Sequence, residues 1–547
     1  MHRREFLEAG TLAGLALPLS SLRGTAAPVS RAPAAESRIG LDDWPLEEAT
    51  ITELQAGMAA GKFSAAELTR AYLDRIEKLD RNGPKINAII ETNPDAEGIA
   101  AALDAERKEK GQRGLLHGIP VLVKDNCDSG DKMLTTAGSL ALASTPAPAD
   151  STVIAKLRAA GAVLIAKSNL TEWANFRGNH SISGWSGRGG QTRNPYALDR
   201  NPCGSSSGTG AGIAANLATI GIGTETDGSV TCPSAFCGLA GLKPTVGLIS
   251  RAGIIPISAS QDTSGPMTRT VADLAIMLGA LTGVDPRDSA TAASRGHAST
   301  DYRGALDPNA LKGARLGVVR SYFGFLPSVD AIAEDAIKVL KDRGAIIIDP
   351  VKPPGDGAFG QAEGDVLAFE FKDGINKYLA SRGPGFSMKT LEDLIAFNSA
   401  NKDRELQWFG QETFVDSQKR GPLTSAAYLK AKAHCHQVAR VQGIEMLMKT
   451  HNLDALISPT AQPAFLIDWI NGDHFSGSST SLAAVSGCPH LTVPMGWVSG
   501  LPVGLSFYGR PWSEAKLISL GYDFEQATKV RKPPTYKPTI DLGSAHG

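Results

Sequence analysis

The chain has 547 residues, of which 20% are charged and 42% hydrophobic, and its formal net charge is −1 with no long run of one sign. This balance lacks the basic patch or stripe that nucleic acid requires, and the dispersed glycines and hydrophobic content describe a soluble globular protein, not a disordered one. Length alone would allow several domains, although a single α/β domain can run well beyond the average.

The chain begins with an address. His2-Arg3-Arg4-Glu5-Phe6-Leu7 sets paired arginines before an uncharged, mostly apolar run from Ala9 to Leu22, and Gly24-Thr25-Ala26-Ala27 offers small residues for a peptidase. This is the pattern of an export signal, and the twin arginine points to the Tat route, with a periplasmic or secreted product. The apolar run is short and glycine-containing for a transmembrane span, so no stable membrane insertion is expected after its removal. Residues 1–35 are read as this signal and a flexible N-terminus, and 36–540 as one domain with a variable helical region at about 290–450.

Ser64-Ala65-Ala66-Glu67 is a capping-box pattern, and Leu68, Tyr72, Ile76 and Leu79 follow at helical spacing. Glu97 to Lys110 reads as a second, more polar helix. At Gly118 the texture changes. Ile119 to Val123 reads as a buried strand ending at Lys124-Asp125-Asn126, Ser151 to Ala160 as a helix, and Ala162 to Ala166 as a strand. Gly208 to Leu217 reads as a helix and Ala218 to Gly223 as a strand. Alternation resumes at Leu453–Thr460, Leu491–Pro494 and Leu501–Phe507, and a helix from about Glu514 to Thr528 closes the fold. Such alternation predicts an α/β sheet with helices on its faces, where sites gather at strand ends.

Six cysteines, at 127, 203, 232, 237, 435 and 488, include no CxxC pair, so neither a disulfide scaffold nor a zinc ribbon is indicated. His434-Cys435-His436 looks like a metal cluster, but adjacent residues on a helix point apart, and Ala426 to Met448 reads as helix. No metal or cofactor is expected.

Candidate chemistry concentrates between Asn201 and Thr245, where Ser205 and Ser229 both sit among glycines. Glycine permits sharp turns that expose a hydroxyl and aim backbone N–H groups at one place, although flexible Gly/Ser loops read the same way. The Gly204–Gly212 run has no lysine to make a P-loop, and Gly212-Ile213 breaks a GxGxxG fingerprint. Neither serine has GxSxG flanks, and no histidine lies in a glycine-rich or strand-end context near them; His117 comes nearest. A neutral lysine can activate a serine, and Lys124 is the best-placed one. Taken alone, Lys124-Asp125 at a strand end is more often a salt-bridged surface pair, and the local residues leave both readings open.

Three stretches together resemble the amidase signature family of serine hydrolases: Gly118–Asp125, Gly204-Ser205-Ser206-Ser207-Gly208, and Thr224-Glu225-Thr226-Asp227-Gly228-Ser229 running on to Gly241-Leu242-Lys243-Pro244-Thr245. The 24-residue step from Ser205 to Ser229, Ser458-Pro459-Thr460, and the segment from Gly487 to Pro511 fit the same pattern. The resemblance runs from about residue 45 to 530 and is weakest between about 290 and 450. It implies a large mixed β-sheet core with helices on both faces and a Ser–Ser–Lys triad. In that triad Ser229 is the nucleophile, Ser205 the bridging serine and Lys124 the base, with the backbone of Thr226, Asp227, Gly228 and Ser229 as oxyanion hole. The implied partner is a small-molecule or peptide amide, with no nucleic acid.

The chain departs from the common pattern at Asp227, Thr231 and Cys203. Thr224–Ser229, with Gly253-Ile254-Ile255-Pro256-Ile257 and Gln261-Asp262-Thr263, is similar to the peptide-amidase branch, whose members remove the C-terminal amide of peptides. Asp227 is read either as selecting substrate by charge or as bonding its own turn. The amidase component of a tRNA-dependent amidotransferase resembles the same family, and a non-catalytic binding protein on this scaffold is the third reading.

Overall fold

The computed structural model describes residues 44, 46–353 and 358–540, so the expected export signal over residues 1–35 lies outside the described residues. Among them, eleven strands build one sheet. In chain order these are β1 (Ile89–Thr92), β2 (Pro120–Lys124), β3 (Val163–Ser168), β4 (Ile220–Glu225), β5 (Ala240–Lys243), β6 (Thr263–Thr268), β7 (Arg315–Val319), β8 (Ile346–Val351), β9 (Ala455–Pro459), β10 (His490–Val498) and β11 (Leu501–Tyr508). Across the sheet they run β1-β3-β2-β4-β6-β5-β10-β11-β9-β7-β8. β2 is parallel to β3 and β4, and β7 to β9 and β8, while the remaining pairs are antiparallel. This is the large mixed sheet with helices that the resemblance implied.

Every residue of β2, β3, β4 and β6 is buried. Strands covered on both faces need no polar alternation, which is why β2 and β3 read as continuous apolar runs. Glycines in β4 let a neighbouring helix, Ser207–Ala214, lie directly on the sheet. A Cβ at Gly221 would stand 2.5 Å from Thr209 Cγ2, and one at Gly223 2.8 Å from Ser206 Oγ. The serine loop is thereby pressed against the strand that leads to Ser229.

The Ser64–Glu67 capping box forms as expected: Glu67 N donates to Ser64 Oγ and Ser64 N to the Glu67 carboxylate. Leu68, Tyr72, Ile76 and Leu79 are all buried, and the helix continues through a wider turn to Asn82. β5 and β6 had no signal in the sequence. β6 reads Thr-Ser-Gly-Pro-Met-Thr, mostly small and polar, and at Gly265 a Cβ would stand 1.9 Å from Leu242 O of β5. The stretch at about 290–450 carries helices such as Pro327–Asp342 and Gly360–Ser381, and it also supplies β7 and β8 at one end of the sheet. β8 is mostly exposed and contains Pro350, which an edge strand tolerates. None of the helices described is long and apolar enough to cross a membrane.

Candidate active site

β2 ends inside the molecule on Lys124, whose side chain is fully buried. Its Nζ lies 2.8 Å from Ser205 Oγ, 3.0 Å from Ser206 Oγ, 2.9 Å from Thr224 Oγ1 and 3.2 Å from Thr224 O. Among the described residues no carboxylate forms an ion pair with it. Burial without a counter-charge pushes the ammonium down to about 7, opposed only in part by Cys127, Glu225 and Asp262. The neutral amine is therefore well populated near neutral pH. Asp125, the next residue, points to the opposite side of the strand, where it accepts from Thr136 Oγ1 and Gly138 N. The surface salt-bridge reading of Lys124-Asp125 does not describe this pair.

The serine loop is held from several sides. The Gly204–Ser205 peptide bond is cis. Thr171 N donates to Ser205 O at 3.0 Å, and Ser207 Oγ to Cys203 O at 2.6 Å. Ser206 N donates to Ser229 O at 3.2 Å, which ties the loop of the first serine to the turn of the second. Ser229 is 8% exposed and lines a cavity of about 430 Å3 together with Cys203, Gly204, Asp227 and Gly228. The two stretches that the sequence singled out thus share one wall.

Gly228 adopts φ +78°, a left-handed conformation that glycine takes without steric cost, and it turns the chain from β4 into the short Thr231–Phe236 helix. That helix does not offer its own first N–H groups to a substrate. Glu225 collects them: its Oε2 accepts from Val230 N at 2.8 Å, Thr231 N at 2.9 Å and Thr231 Oγ1 at 3.1 Å. Thr231 is thereby explained as a partner of Glu225. Among the described residues, the N–H groups of Thr226, Asp227, Gly228 and Ser229 have no protein acceptor. Four unpaired donors around a serine at a cavity wall can receive developing negative charge.

Asp227 does not bond its own turn. Its carboxylate accepts from Thr480 Oγ1 and Ser481 Oγ, each at 2.6 Å, more than 250 residues away. Burial raises its proton affinity, and Glu363 beside it is pushed up to about 8 by burial and by the charge of Asp227. Gln261 Nε2 links Glu363 Oε1 at 2.9 Å to Thr226 O at 3.3 Å. Asp227 thus pins the turn of Ser229 to the Ser481–Val485 helix on the far side of the cavity.

Three participants carried no assignment in the sequence: Ser206, Thr224 and Asn126. Asn126 Nδ2 donates to Thr224 Oγ1 at 2.9 Å, the same oxygen that Lys124 reaches. The period-two spacing of Lys124 and Asn126 at a strand end was a readable sign that both point one way. His117 serves structure instead, its ring set between Leu103 O and Arg113 N. His434 is exposed and contacts Ala358 O, while Cys435 is buried; none of the described His, Cys, Asp and Glu residues form a group of three able to hold a metal.

Comparison with known proteins shows the family. The family model described as Amidase matches residues 67–518. A probable amidase of Arabidopsis thaliana is 38% identical over 90% of this chain and 92% of its own length. The X-ray structure of native peptide amidase from Stenotrophomonas maltophilia superposes with a TM-score of 0.85 at 49% identity, covering 90% of this chain and 99% of that one. A glutamyl-tRNA(Gln) amidotransferase subunit of Alkalilimnicola ehrlichii is 33% identical over 88% of this chain and 98% of its own length. The chain belongs to the Amidase family. It is an amidase, a hydrolase of the amidase signature type.

Proposed function

We propose that this amidase converts the C-terminal carboxamide of a peptide to a carboxylate and ammonia, through Lys124, Ser205 and Ser229. The observation that carries the reading is a buried lysine with its Nζ 2.8 Å from Ser205 Oγ, in a loop that Ser206 N ties to Ser229 O, where Ser229 lines the cavity among four unpaired N–H groups. Neutral Lys124 takes the Ser205 proton as Ser205 takes that of Ser229, and Ser229 Oγ forms a bond to the amide carbon. The carbonyl oxygen gains the negative charge and is held by the N–H groups of residues 226–229. The carbon–nitrogen bond breaks as Ser205 returns a proton to nitrogen, and ammonia leaves. Water then attacks the acyl-Ser229 ester by the same proton path, and Ser229 regains its hydrogen. Such a general base contributes about 10²–10⁴-fold, and each oxyanion donor about 10²–10³-fold.

The peptide part of the reading is supported by the likeness to a peptide amidase at 49% identity. Ammonia release from peptide amides, aliphatic amides and aryl amides, with acid release followed for esters, tests it. Peptide amides should be preferred, and Ser229→Ala should abolish release, by about 10⁶-fold as when a nucleophile is removed from a comparable triad. Retained turnover in Ser229→Ala overturns the mechanism. The likeness to an amidotransferase component favours a second reading, in which ammonia is handed to a partner; release by the purified chain alone excludes it. Export by the Tat route belongs to the proposal and rests on Arg3-Arg4 before the Ala9–Leu22 run. An Arg3→Lys, Arg4→Lys double variant should stay inside the cell, and unchanged export of that variant removes the signal.

A further inference from the structure

We infer that the mouth of the Ser229 cavity is a binding site for apolar side chains on the acyl side of the substrate, in the residues that precede the amide. The inference rests on the peptide-amide reading above. Phe475 lines the cavity and is exposed, the exposed Trp469 and Ile470 precede the cavity-lining Asn471 in the same loop as the exposed Leu466, and the exposed Trp408 packs on Trp469. Ile470 is 90% exposed, and the rings of Trp408 and Trp469 stack with centroids 5.3 Å apart. Such a concentration of exposed apolar surface marks a binding site in a water-soluble fold.

These side chains are held out by firm anchors. Asp468 accepts from Ile470 N at 3.0 Å and Asn471 N at 2.9 Å, which fixes the turn that raises Trp469 and Ile470. Asp473 accepts from Ser183 N at 3.0 Å and Asn201 Nδ2 at 3.1 Å, and Gln462 Nε2 donates to His474 O at 2.9 Å. On the facing segment, the fully buried Arg177 donates to Phe409 O at 3.1 Å and Gly410 O at 3.2 Å. Its guanidinium also lies 4.0 Å from the centroid of the Phe409 ring, beside Trp408 in sequence. A rim fixed in advance loses little freedom when a ligand settles on it.

Continuity with the catalytic cavity identifies the occupant. Phe475 and Asn471 belong to the exposed loop and also line the cavity that holds Ser229. Asn175, Asn179 and His180 line the same cavity from the facing side. Amide side chains beside aromatic ones suit a peptide, whose backbone needs hydrogen bonds while its side chains need apolar cover. With the carbonyl at the oxyanion turn, a primary amide has only NH2 on its nitrogen side. Whatever reaches the mouth belongs to the acyl chain.

The test compares acetyl-glycinamide, acetyl-Phe-Leu-glycinamide, acetyl-Ser-Ser-glycinamide and the N-phenethylamide of acetylglycine, using the whole protein and a Trp469→Ala, Ile470→Ser variant. The apolar peptide amide should exceed the serine one in kcat/KM by about tenfold, chiefly through KM. The variant should lose that advantage and leave acetyl-glycinamide turnover unchanged, which also shows that it folds. An equal loss on all substrates, or no loss on any, overturns the proposal. So does an advantage confined to the N-phenethylamide, which would place the nitrogen side at the rim. A dimer in light scattering that the variant dissociates, with substrate preference unchanged, assigns the rim to a second copy and likewise overturns it. Absence of ammonia from the three primary amides and of phenethylamine from the N-phenethylamide defeats the amidase reaction itself and is distinct from these outcomes.

Discussion

The two walls of the Ser229 cavity are built on opposite principles. The wall formed by Cys203, Gly204 and the 227–232 turn is backed by Lys124 and the serine loop, which are buried and crowded with short polar contacts. The wall formed by the loop after β9 continues into exposed aromatic and aliphatic groups on a hydrogen-bonded frame, with Trp408 stacked on Trp469. Chemistry needs the first kind of surface. Only exclusion of water lowers a lysine toward neutrality, and donors aimed at one place can hold the charge that develops there. Recognition needs the second, because apolar surface that water covers in the free protein gains free energy when a ligand replaces that water.

The largest effect that would break this division lies at Lys124. Lys124→Ala should reduce kcat by about 10²–10⁴-fold on short and extended amides alike. In the unaltered protein kcat/KM should rise with pH through about 7, because the proton must leave Lys124 before it can accept one. The variant's residual activity should lose that step. A pH profile with the same step in Lys124→Ala removes it from the role of base.

A smaller effect, at the seam between the walls, sharpens the comparison. Asp227→Asn keeps the side chain's size but removes the charge that helps hold Glu363 up at about 8. The native protein keeps the Glu363 proton more tightly than the unfolded chain does. The stability this contributes is fully present below the ordinary carboxyl value of 4.5 and is lost as pH rises through about 8. In Asp227→Asn that loss should be complete at lower pH, as thermal unfolding from pH 5 to 9 would reveal. Turnover should fall by about tenfold at most, since a positioning contact is weakened while the donors of the turn remain. An unchanged pH dependence of unfolding would separate Asp227 from Glu363.

Much of the reactive wall was legible beforehand because its signals are local. The strand before Lys124, the glycines around both serines and the capping box at Ser64 each lie within about ten residues. Glu225 was visible as a letter in a motif, but not as the acceptor that takes Val230 N and Thr231 N. Strand β6 stayed hidden because Thr-Ser-Gly-Pro-Met-Thr has neither alternation nor an apolar run.

The sequence by itself determined which residues could react and the order of most of the elements that carry them. Periodicity and turn chemistry act over a few residues, and they are written into neighbouring letters. Only the tertiary structure decided that Lys124 meets Ser205, 81 positions away, and Thr224, 100 positions away. It alone joined Asp227 to Thr480 and Ser481, and it set Trp408 against Trp469. Such contacts depend on which strands lie side by side in the sheet, and no spacing along the chain encodes that.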